Sequence, residues 1–240
     1  MDLLNEIKVI YENENFVAIN KPSGLMVHDD GKTNDKTLCD WILKNYPQTE
    51  NIGEPTKTSS GKIIKRPGIV HRLDKETSGV ILIAKNQKTF EYIKKQFQNR
   101  QIKKTYITFV YGEIKNMEGT IDSPIGKSKK DFRQFSSMKN TRGELREAIT
   151  KYKVLKKNKD FSFVEVYPKT GRTHQIRVHL KSINHPIVCD SLYAPKGKCP
   201  EEIGRLALHS SSIEFKDDKN VSFKIDAPIP ENFENFLKNL

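Results

Sequence analysis

The chain is short of the residues that usually announce a protein's class. Among 240 residues it has one tryptophan, four methionines and three cysteines. Cys39, Cys189 and Cys199 are far apart and odd in number, so no disulfide framework is expected and reduced structural thiols are the default. No apolar run approaches the roughly 20 residues of a membrane span, and the opening MDLLNEIKVIYENENF is not a signal peptide. The expectation is a cytoplasmic chain that contacts no membrane. No CxxC, HExxH, dinucleotide motif, internal repeat or low-complexity linker occurs, and with no repeat or linker there is no marked domain boundary.

Acidic residues are also in deficit: 42 Lys and Arg stand against 30 Asp and Glu, a formal net charge of +12. A mean hydropathy of −0.66 is low but still globular. The positive surplus draws polyanions, nucleic acid first among them. A wealth of Asn, Ile and Lys would also follow from A/T-biased codons, so charge alone supports nucleic acid only modestly.

IKVIYENENFVAINKP reads as two strands around a polar turn, and LCDWILKNY as a short amphipathic helix. The stretch 51–67 reads as a loop, while Ile69-Val70 and Val80 to Ala84 read as buried strands. Asn86 caps a helix with Phe90, Ile93 and Phe97 at helical spacing. TYITFVYG is a strand with Tyr106, Thr108 and Val110 on one face. ITKYKVL and FSFVEVYP are further strands, and TGRTHQIRVHLKSINHP passes from loop to helix with Thr173 as its cap. Strands outnumber helices and short turns join them, which predicts an α+β fold on a mostly antiparallel sheet.

Four stretches carry chemistry. HRLDKETSG sets Asp74 in a polar loop between apolar strands, with Arg72 and Lys75 near enough in sequence to balance its charge. A fixed carboxylate there suits a nucleophile, a general base or a metal ligand. Taken alone, HRLD reads better as a loop-capping aspartate paired with Arg72. In GRTHQIRVHL, Ile176, Leu180 and Ile183 form a buried stripe, and His174, Arg177 and Lys181 an adjoining polar one. That polar stripe could meet a carboxylate or aim donors at phosphate. His174, His179, His185 and Cys189 cluster in sequence, but at no zinc spacing, and His179 reads as a core or capping histidine. Tyr106 alone reads as strand packing. The run from Gly126 to Arg146 reads as a basic loop. In it Lys127, Lys129, Lys130, Arg133, Lys139, Arg142 and Arg146 interleave with Phe132 and Phe135. Such a mixture suits looped or single-stranded RNA, and equally a solvated loop.

These stretches occur together and in order, and the chain resembles the RluA family of pseudouridine synthases. The likeness runs through AINKPSGLMVH, HRLDKETSG, KTYITFVYG, the PIG at Pro124, AITKYKVL, KTGRTHQIRVHL, HPIVCDSLY and RLALHS. Cys189 stands where the family usually has Gly, so the local turn there departs from the pattern. The resemblance implies one catalytic domain over 1–240, without the S4-type RNA-binding domain some members carry. It implies a central mixed, mostly antiparallel sheet in two abutting subdomains with a catalytic cleft.

The implied activity is isomerisation of uridines in ribosomal or transfer RNA by a monomer. Asp74 is the implied catalytic carboxylate, Tyr106 the tyrosine near the base, and Arg177 the cation that pairs with the aspartate. RNA contacts are expected from His71, Arg72, Lys127, Lys129, Lys130, Arg133, Arg172 and His174. No cofactor or metal is implied. Two other readings stay open on the residues: a non-catalytic RNA-binding module, and a nucleoside hydrolase with Glu76 as its second acid.

Overall fold

The computed structural model describes residues 2–29, 35–57, 61, 63–129, 131, 134–137 and 141–240. In chain order the elements are β1 (Lys8–Glu12), β2 (Phe16–Lys21), α1 (Leu38–Asn45), β3 (Thr56–Lys57), β4 (Ile63–Ile64), β5 (Ser78–Ala84) and α2 (Gln87–Gln98). Then come β6 (Lys103–Tyr111), β7 (Glu118–Asp122), β8 (Ile125–Ser128), β9 (Phe135–Ser137), β10 (Thr141–Arg146), β11 (Ile149–Lys157) and β12 (Phe161–Pro168). The chain closes with α3 (Gln175–Ser182), β13 (Leu208–Lys216), β14 (Ser222–Asp226) and α4 (Glu231–Lys238). They fall into two compact units, Met1–Lys103 with Ser212–Pro228, and Lys104–Ser211 with Ile229–Leu240.

In the first unit β2 pairs antiparallel with β1 and with β5, and β13 pairs antiparallel with β14. All seven residues of β5 are buried, so SGVILIA is a continuous apolar run rather than an alternating one. Phe16, Val80, Leu82, Ile93, Ile213, Phe215 and Ile225 form one core cluster there. Asn86 caps α2 as expected, its side-chain oxygen accepting the Thr89 N–H at 2.9 Å. Ile69 makes only a single bridge to Ile83, short of the strand expected at Ile69-Val70. The 51–67 stretch, expected to be a loop, carries the two-residue strands β3 and β4.

In the second unit β11 pairs with β7 and β12, and β12 with β6, all antiparallel. Phe233 and Phe236 of α4 pack edge-on against Phe109 of β6 at 5.4 and 5.0 Å. The run expected as a basic loop instead contributes a three-stranded antiparallel sheet, β10-β8-β9. β10 is almost wholly exposed, β9 is half-buried throughout and β8 is buried at three of its four residues, so no alternating apolar pattern betrays them.

Candidate active site

Asp74 opens a tight turn in which the Thr77 N–H donates to the Asp74 carbonyl at 3.1 Å. Leu73 before it is buried, Asp74 is half-buried, and Lys75 and Glu76 are exposed. The segment after β2 braces this turn through its main chain. The Lys75 carbonyl accepts the Gly24 N–H at 2.9 Å and the Lys21 ammonium at 3.0 Å. The Ser23 hydroxyl donates to the Glu76 carbonyl at 2.6 Å. Gly24 has φ +86°, a conformation that glycine adopts without cost. Lys21 is fully buried and also donates to the carbonyls of Pro22 and Leu25, each at 2.8 Å.

His71 is engaged in the same unit. Its Nε2 accepts the Leu82 N–H of β5 at 2.9 Å, and its ring stacks on Phe97 with centroids 4.9 Å apart. Arg72 is exposed and donates from Nη1 to the His28 Nε2 at 3.3 Å. Burial, with Arg72 and Arg66 adding repulsion, lowers the pKa of His28. A carboxylate on a braced turn, with cations nearby in its own unit, is equipped for nucleophilic or base chemistry.

In the second unit Tyr106 lies buried on β6 opposite Val166 of β12. The helix carrying Arg177 begins differently from the expectation. Thr173 does not cap α3; His174 holds the capping position at φ 55°, with no side-chain cap bond. Gln175 does the anchoring instead. Its carbonyl oxygen accepts the Thr170 hydroxyl at 2.7 Å and the Arg172 N–H at 3.0 Å. Its amide donates to the Thr150 hydroxyl and the Ile149 carbonyl.

The expected split into an apolar and a polar stripe also fails, because Gln175 through Leu180 are all buried. Arg177 is 7% exposed and makes a two-pronged pair with Asp190, Nε to Oδ2 at 2.7 Å and Nη2 to Oδ1 at 2.8 Å. Its guanidinium sits 4.9 Å over the Tyr193 ring. The same carboxylate accepts the N–H groups of Leu192 and Tyr193, so Asp190 fixes both its own loop and the arginine. Nothing local in the sequence ties these two residues, thirteen apart, to one another. Lys181 remains exposed, 5.5 Å from the Tyr193 ring.

The histidines of the cluster go separate ways. His179, fully buried, bonds to the Thr150 hydroxyl at 2.8 Å and the Ser123 carbonyl at 2.9 Å, in keeping with its reading as a core residue. His174 bonds to the Tyr193 hydroxyl and His185 to the Tyr111 carbonyl, each at 2.9 Å. Among the described residues no three His, Cys, Asp or Glu side chains gather as a metal site. Cys189 is disulfide-bonded to Cys199, which corrects the expectation of three reduced thiols. Cys189 takes φ 60°, the conformation glycine would favour, and turns in the following loop bring the two Cα atoms to 4.7 Å. Cys39 alone stays free, and burial pushes its thiol up to about 12, so it is unreactive at neutral pH.

The small sheet borders a groove of about 440 Å³ lined by Lys127, Phe135, Arg142, Arg146, Gly171 and Arg172, among others. Arg172 also donates from Nε to the Glu147 carbonyl at 3.0 Å. Lys129 is exposed. Lys130 and Arg133, with Phe132 and Lys139, lie outside the described residues.

A family model described as RNA pseudouridylate synthase matches residues 15–182. The chain belongs to this family. It is an isomerase that converts uridine to pseudouridine in RNA. The Ribosomal large subunit pseudouridine synthase D of Borreliella burgdorferi is 38% identical over 97% of this chain and 68% of its own length. RNA pseudouridine synthase YlyB of Bacillus subtilis is 35% identical over 100% of this chain and 76% of its own. Among solved structures, Human RNA Pseudouridylate Synthase Domain Containing 4 covers 99% of this chain, and this chain 94% of it, with a TM-score of 0.75 at 23% identity. That likeness carries the fold, and the synthase is α+β as its strands and helices led us to expect. The family match takes in Asp74, Tyr106 and Arg177, while Asp190 and the disulfide lie beyond its end. No helix among the described residues is long and apolar enough to cross a membrane.

Proposed function

We propose that this synthase acts on ribosomal RNA, with Asp74 as its essential carboxylate, Tyr106 beside the target base and Arg177 as the cation that orients Asp74. The observation that carries the carboxylate is the braced turn: the Gly24 N–H, the Lys21 ammonium and the Ser23 hydroxyl donate to the carbonyls of Lys75 and Glu76, the residues that follow Asp74. Bracing of that kind fixes a reacting group in one geometry, which is worth most when bond-making demands alignment. The Borreliella relative is named for the ribosomal large subunit. His71, Arg72, Lys127, Lys129, Lys130, Arg133, Arg172 and His174 remain the proposed RNA contacts.

The reaction balances within one nucleotide. The N1–C1′ bond breaks, the base turns, C5–C1′ forms, the C5 proton leaves and N1 gains one. Flipping the uridine costs a few kcal/mol, which the basic surface offsets. The test is tritium release from RNA labelled at uridine C5, with pseudouridine mapping in cells with and without the protein. Asp74→Asn is nearly isosteric and should fold and bind RNA, while release falls at least about 10³-fold, because an amide is a poor nucleophile and base. Tritium release by folded Asp74→Asn overturns the assignment. Free uracil as product would point to the hydrolase. RNA binding without release would point to the module. Loss of pseudouridine from transfer RNA alone would move the target.

A further inference from the structure

Lys104 opens the stretch KTYITFVYG. It stands two places before Tyr106 on β6, so both side chains lie on one face of the strand. It is half-buried, and its ammonium donates to the Thr170 carbonyl at 3.2 Å, its one hydrogen bond among the described residues. The next residue, Gly171, leaves space that other residues do not fill. A Cβ there would have only the Lys104 Nζ within 4 Å, at 4.0 Å. Gly171 and Arg172 also line the 440 Å³ groove that holds Lys127, Arg142 and Arg146, the last of these paired with Glu144 of the same groove at 3.4 Å. Lys104, Lys169 and Arg172 thus gather about a single turn. None of the three is paired with a carboxylate among the described residues, although Arg172 holds the Glu147 carbonyl.

We propose that Lys104, with Lys169 and Arg172, binds a backbone phosphate of the RNA at the open turn over Gly171, on the strand face that carries Tyr106. The proposal rests on the RNA reading above and adds a residue and a ligand chemistry to it. An unpaired cation cluster around an unfilled glycine is what a phosphate oxygen needs: donors, charge and room. Specificity does not come from such a contact, which fixes register along the strand instead.

The surroundings make this contact sensitive to pH. Burial, then repulsion from Lys169, lowers Lys104 to about 8. The other groups nearby do not offset this. Glu165 and Tyr167 of β12 bond to one another on the opposite face of that strand, and His209 of β13 packs edge-on against Phe233. A bound phosphate favours the charged amine, so binding above pH 8 must take up a proton from solvent. Affinity is therefore nearly full at pH 7 and falls as pH rises through 8.

The experiment measures binding of fluorescein-labelled oligouridylate by anisotropy from pH 7 to 9 at constant ionic strength. A group at about 8 is roughly nine-tenths protonated at pH 7 and one-tenth at pH 9, so the wild-type Kd should rise about tenfold. Lys104→Arg stays charged throughout and should lose that rise. Lys169→Ser, an exposed change that leaves Lys104 in place, should move the break to higher pH. Thermal melts establish that each variant is folded. A flat wild-type profile, or the same rise in Lys104→Arg, overturns the proposal, as does an unmoved break in Lys169→Ser. Tritium release measured alongside separates the two readings. Wild-type protein that shows the pH break but releases no tritium refutes the enzymatic reading and leaves the phosphate contact standing. Wild-type protein that releases tritium with a flat binding profile does the reverse.

Discussion

Lys21 and Arg177 are both buried cations, one in each unit, and they are secured in opposite ways. Lys21 meets three main-chain carbonyls, those of Pro22, Leu25 and Lys75. Arg177 meets both oxygens of one side-chain carboxylate, Asp190. A compact ammonium with three donors suits converging carbonyls, whereas a planar guanidinium suits a carboxylate fork. The consequences differ. Each bond from Lys21 immobilises a backbone carbonyl, so Lys21 serves the shape of the Asp74 turn. The arginine pair cancels charge against charge and ties α3 to the loop at Asp190, so it serves the orientation of one side chain.

That contrast predicts unequal costs when each device is broken. Asp190→Ala removes both carboxylate bonds to the buried Arg177, and with them the acceptor shared by the N–H groups of Leu192 and Tyr193. The loss should be about 3–5 kcal/mol, read as a fall in denaturant midpoint at unchanged slope. Removing both charges, as Arg177→Met with Asp190→Leu, should recover much of it. A cost below about 1 kcal/mol for the single variant would mean that the pair is not what holds the loop to α3.

Lys21→Met should cost less, about 2–3 kcal/mol, because it removes hydrogen bonds from neutral carbonyls and Lys75 keeps its bond from Gly24. Its mark should lie in turnover: with the Asp74 turn loosened, kcat falls while KM stays near wild type. Lys21→Arg should not rescue kcat, since a fork cannot meet three converging carbonyls. An unchanged kcat in folded Lys21→Met would separate the lysine from the catalytic turn and leave it a purely structural residue.

The two devices were also unequally visible in the sequence. Local patterns were legible: the Asn86 cap, the buried run of β5, and the polar island HRLDKETSG between apolar neighbours. Lys21 stood inside AINKPSGLMVH, a quoted part of the resemblance, yet its burial was not foreseen. The pairing of Arg177 with Asp190 depends on a chain reversal after α3 that has no local signature. The reading of Thr173 as a cap missed that His174 takes a left-handed backbone and that Gln175 supplies the anchoring bonds. Cys189 stands at a glycine position of the family pattern, but its partner emerges only from the turns of the loop behind it. The small β10-β8-β9 sheet has no apolar period to read, because β10 is exposed along nearly its whole length, β9 is half-buried throughout and β8 is only four residues long.

The smallest effect concerns acid, and it sharpens the comparison by turning from the two cations to a buried histidine on the helix that carries Arg177. His179, two residues after Arg177, is fully buried against Thr150 and Ser123, and burial lowers its pKa below the ordinary histidine value. In the unfolded chain the same ring takes a proton near 6.5. Below that pH the unfolded state binds a proton that the folded state refuses, so stability present above 6.5 is lost as pH falls toward the folded value. His28 adds a loss of the same sign in the first unit. Melting temperature should therefore decline between pH 7 and 5.5. In His179→Gln, whose amide can still reach Thr150 and Ser123, the decline should shrink to the part left by His28. An identical decline in the variant would show that the α3 histidine does not set the acid response and that its burial is already offset in the charged form.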